Sequence, residues 1–94
     1  MLLKEKVRQA ASKLGDPQVV LTNALKREVL GKILELNQVV REFEKRYGAS
    51  LEDFEKQNLL DRLGHTWEVE QDYYEWDRAA TELQKLEEVL SGLE

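Results

Sequence analysis

The chain of 94 residues has no cysteine, one proline, one histidine and one methionine. Without cysteine there is no disulfide framework and no thiolate metal site. A single proline, set against 35% charged residues, excludes a loop-rich sandwich and points to long solvent-facing helices. Long apolar runs are also missing. Leu2 and Leu3 are followed at once by Lys4, Glu5 and Lys6, and nowhere is there a stretch of signal-peptide or membrane-span length. The expectation is one cytoplasmic domain over 1–94 with no membrane contact. A chain this short buries only roughly 60–65% of its unfolded surface, so association is a natural remedy for a small core.

Catalytic parts are scarce too. No glycine-rich phosphate loop is present, and the serines (Ser12, Ser50, Ser91) have no histidine spaced to activate them. No catalytic residue, metal or cofactor is expected. The best metal candidate is His65 with Glu68 and Asp72, three and four residues apart on one helix face. That ligand set is too small for a dedicated site, and it lacks the paired Glu-x-x-His units of a di-iron bundle.

What the chain does have is punctuation. Gly15, Gly48 and Gly64 stand where helices would end in a left-handed residue. Each is followed by a capping residue: Asp16 before Pro17, Ser50 before Leu51, and Thr66 before Trp67. Ser50 and Asp53 approximate a capping box. The spacing predicts four helices, at about 2–14, 17–47, 51–63 and 67–91. In the second, Val29, Ile33, Leu36, Val40, Phe43 and Tyr47 step by four and three, a coiled-coil-like seam. Gly31 falls on its outer face. In the fourth, Val69, Tyr73, Trp76, Ala80, Leu83 and Leu90 form a matching seam, with Leu86 beside it and Glu87 interrupting it. The fold class is therefore all-α, a hairpin of two long antiparallel helices, roughly 46 and 37 Å long. Leu3, Val7, Ala10 and Leu14 of the first short helix, and Leu51, Phe54, Leu59 and Leu63 of the second, would cover part of it. A second copy would complete a dimeric helical bundle.

Charge is divided along the chain. Residues 1–48 hold ten Lys/Arg and six Asp/Glu, a net +4, whereas residues 49–94 hold four and thirteen, a net −9. The acidic half repels nucleic acid and attracts a basic protein. Lys4, Lys6, Arg8 and Lys13, with Lys26, Arg27 and Lys32, suggest a helix-turn-helix as one alternative. Its recognition helix, however, would offer only Gln18, Thr22 and Asn23 to bases, with Asp16 and Glu28 opposing phosphate. Nucleic acid is not expected as a partner.

The segment His65–Arg78 gathers four of the seven aromatics, five acids and the only histidine. Trp67 and Tyr74, seven residues apart, lie off the seam and are flanked by Glu70 and Asp77. Aromatics ringed by acid suit a basic, partly apolar protein. The plain alternative is that Trp67 and Tyr74 pack on a short helix or a homodimer contact.

The run REFEKRYGASLEDFEKQ (41–57) resembles a pattern common in short prokaryotic antitoxin-type proteins. The following HTWEVEQDYYEWDRAATEL (65–83) resembles the acidic aromatic helix of small proteins encoded beside a compact toxin. The resemblance implies a non-enzymatic module that masks a small basic protein. It does not carry over a DNA-binding arm, since no alternating strand opens residues 1–24. The alternative is a structural or regulatory homodimer whose acidic half pairs with its basic half.

Overall fold

The computed structural model describes residues 2–94, with side chains from Lys4 onward. Five helices follow in order: α1 (Leu2–Ser12), α2 (Pro17–Tyr47), α3 (Leu51–Lys56), α4 (Leu59–Arg62) and α5 (Trp67–Leu93). No strand occurs among the described residues. The three capping residues set the helix starts. Asp16 accepts from the Gln18 amide at 2.9 Å, Ser50 from Asp53 at 3.1 Å and Thr66 from Val69 at 3.2 Å, each quenching an orphan N–H of a first turn. Gly48 closes α2 at φ 66°, and its amide reaches the Glu44 carbonyl.

The predicted helix 51–63 is two helices. Asn58 adopts a left-handed conformation at φ 53° and bends the chain between α3 and α4. Asparagine tolerates that region better than most residues. The bend turns Leu60 inward to half-burial, while Leu63, expected to pack, stays exposed.

The α2 and α5 helices run antiparallel. Arg46 meets Asp72, Phe43 stacks on Trp76, and Ala79 lies beside Leu36 and Val39. Val29, Ile33, Phe43, Trp76 and Ala79 are buried on this seam, with Leu36, Val40, Tyr47, Val69, Tyr73 and Leu83 half-buried along it. The α3–α4 corner closes the Tyr47 end, where Phe43, Tyr47, Phe54, Tyr73 and Trp76 interlock. Trp76 lies 5.3 Å from Phe54 and 5.8 Å from both Phe43 and Tyr47, centroid to centroid.

Helix α1 packs on the opposite end of α2 through Ala11, which is buried. The expected contact face was Leu3, Val7, Ala10 and Leu14. Leu3 lies outside the described side chains, Ala10 and Val7 are exposed, and Leu14 is 78% exposed. The helix ends at Ser12, two residues early, so Leu14 sits in the turn; the small Ala11 side chain makes the buried contact instead.

The result is a rod of 58 × 24 × 17 Å, two helices thick, with a radius of gyration of 19.1 Å. A compact chain of this length would have about 12 Å. Its accessible surface of 7516 Å² exceeds the about 5,600 Å² of a compact monomer of this mass.

Gly31 is exposed, mid-helix, and a Cβ there meets nothing within 4 Å. Gly31→Ala is expected to stabilise the protein by about 1 kcal/mol. That appears as a rise in Tm of about 4–8 °C by circular dichroism.

Candidate interaction site

Trp67 opens α5, with Thr66 as its cap. At about 100° per residue, Trp67 and Tyr74 fall on nearly the same side of the helix, away from Trp76 and Ala79. They are 74% and 70% exposed, against 0% for Trp76. The alternative that they pack on a short helix is not what the chain does: α3 and α4 meet Tyr73, through Phe54, and Val69 instead. Tyr74 leans on Tyr73 at 6.4 Å between ring centroids, which limits its swing without covering it.

The two acids of the stripe differ. Asp77 is exposed. Glu70 is half-buried and reaches the Nδ1 of His65 at 3.3 Å. His65 itself sits in a left-handed conformation at φ 48°, and its Nε2 bonds to Asp61. The ring therefore ties the end of α4 to the start of α5. It does not join Glu68 and Asp72, because Asp72 is engaged from the other side by Arg46 Nη1 at 2.8 Å and by the Tyr47 hydroxyl at 2.5 Å. No cluster of three metal-type ligands occurs among the described residues.

These contacts move the titrations. The hydrogen bond to Asp61 holds His65 above its ordinary value, and Glu70 adds to it against some burial. The same bond, with one from Asn58, keeps Asp61 below the usual carboxylate range. Burial, then the bond to Asp72, pushes the Tyr47 phenol up to about 12. Burial disfavours the Asp72 carboxylate, yet the donors Tyr47 and Arg46 together hold it low.

A histidine raised in the folded state adds stability that is full below its unfolded pKa of about 6.5 and fades as pH climbs through the higher folded value. Asp61, held low, stays ionised throughout that range. His65→Gln is therefore expected to lower Tm more at pH 5.5 than at pH 8.5, measured by paired thermal melts at the two values. An equal loss at both would show that the ring acts by packing alone.

At the other end, a groove of about 710 Å³ opens between α1 and the start of α2, lined by Lys4, Val7, Arg8, Pro17 and Leu21. Gln18 and Asn23 are exposed there and Thr22 half-buried, but the Asp16 carboxylate caps this helix end and opposes phosphate. Among the described residues, no helix is long and apolar enough to cross a membrane.

The chain matches no protein-family model, no curated protein and no solved structure at a significant level. The antitoxin-type pattern therefore rests on its own residues in 41–83.

Three features have little or no signal in the sequence. The Arg46–Asp72–Tyr47 cluster joins residues 25 and 26 apart. The tie of His65 to Asp61 and Glu70 needs the bend at Asn58. The groove at the α1 end had one signal: Leu21 and Leu25 prolong the seam beyond the reach of α5.

Proposed function

We propose that the protein is a non-enzymatic interaction module whose α5 face, Trp67, Tyr74 and Asp77 with Glu70 at its edge, binds and masks a basic, partly apolar protein surface. One observation carries this reading: a tryptophan and a tyrosine stand over two-thirds exposed in a chain with few aromatics, on the outer face of a helix whose inner face holds the core. Trp and Tyr contribute most to interface energetics because they bury much area at little rotamer entropy. Carboxylates around them select Lys and Arg on the partner and speed encounter. The antitoxin-type pattern agrees with this role and makes a compact basic toxin the leading kind of partner. The test is to replace Trp67 and Tyr74 together by alanine and ask whether a folded chain loses its partner.

A further inference from the structure

The α2 seam outruns its cover. Val29 is buried, but Leu25 and Leu21, the next residues on the same face, are 48% and 40% exposed. Helix α1 reaches this end and leaves a groove lined by Val7, Pro17 and Leu21 and rimmed by Lys4 and Arg8, with Gln18 and the Asp16 carboxylate, engaged by the Gln18 amide, at its edge. The occupant that fits is apolar and acidic. The chain carries such a surface itself, at the far end of the rod: Trp67 and Tyr74 beside Asp77 and Glu70.

We propose that a second copy fills this groove. Two rods laid antiparallel place the acidic aromatic end of each on the basic apolar end of the other, so the pair closes with two identical contacts and no free end. The charges at the two ends support the pairing: Lys4 and Arg8 rim the groove, whereas Glu70 and Asp77 flank the exposed aromatics. So does the surface area. Each chain exposes about 1,900 Å² more than a compact monomer would, while a standard interface needs about 800 Å² from each partner. This proposal rests on the reading of α5 as a docking face and adds its regulation: in the resting dimer Trp67 and Tyr74 are covered by the mate, and a basic protein must displace it.

Charge exchange tests this in the full chain. Sedimentation equilibrium of the natural protein should give a dimer that loosens as salt rises. Lys4→Glu with Arg8→Glu sets acid against acid. Glu70→Lys with Asp77→Lys sets base against base. Each double variant should stay helical and dissociate with a Kd weakened by about 100-fold or more. Mixed in equal amounts, the two should recover the dimer mass as a heterodimer, since both contacts are then opposite in charge. Should either double variant lose helicity, Lys4→Glu and Asp77→Lys alone are compared in the same way, with a smaller weakening and the same recovery. A monomeric natural protein, dimers unmoved by the exchanges, or helical variants that do not recover on mixing would overturn the proposal. Those outcomes leave the docking face standing. It fails separately if Trp67→Ala with Tyr74→Ala changes neither the dimer nor the binding of a foreign partner.

Discussion

Trp76→Ala is expected to lower Tm by about 15–30 °C, the largest single effect in the chain. Trp76 is fully buried among Phe43, Tyr47 and Phe54, where the hairpin closes. Truncating a buried tryptophan costs about 3–5 kcal/mol. A domain of this size holds about 5 kcal/mol at the low end of the usual range, and a thin rod has few other buried contacts to draw on. The indole Nε1 of Trp76 is itself buried without an acceptor, a penalty of about 1–3 kcal/mol. Trp76→Phe keeps a ring and removes that donor, so its net effect should stay within about 2 kcal/mol. Urea unfolding followed by circular dichroism checks both, and equal losses for the two substitutions would contradict this account of the core.

Trp67→Ala with Tyr74→Ala should do the opposite. Both side chains are largely exposed within one chain, so helicity should be kept and the urea midpoint, compared at a concentration low enough for monomer, should move little. Partner affinity should fall by about two to three orders of magnitude, the usual consequence of removing two aromatic anchors. The contrast with Trp76 is internal to one helix: of four aromatics within ten residues, Trp76 and Tyr73 pack in the core while Trp67 and Tyr74 face outward. Titration calorimetry with the partner measures the loss. An affinity within threefold of the natural protein would remove α5 from the binding surface.

Much of the fold was legible because its signals are local. Asp16–Pro17, Ser50 and Thr66 mark helix starts through bonds to amides two or three residues on, and the four-three spacing of Val29 to Tyr47 names the buried face. The bend at Asn58 was not legible, since a lone asparagine with no glycine or proline beside it is only a weak turn signal and the packing of Phe54 and Leu60 against the Trp76 core decides. On α1 the packing residue was displaced from the larger apolar side chains to Ala11, because the early end at Ser12 puts Leu14 in the turn. For the candidate site, spacing sufficed to place Trp67 and Tyr74 off the seam. It did not reveal that Glu70 would be tied to His65, a contact that exists only once α4 has turned the chain back.

The most direct measurement is a native mass spectrum of the tagged protein drawn from its own cells at low salt, run beside the folded Trp67→Ala, Tyr74→Ala variant. The account predicts a stoichiometric complex with a small basic protein for the natural chain and its loss from the variant. A natural chain that brings no basic protein, or a variant that brings the same one, would contradict it.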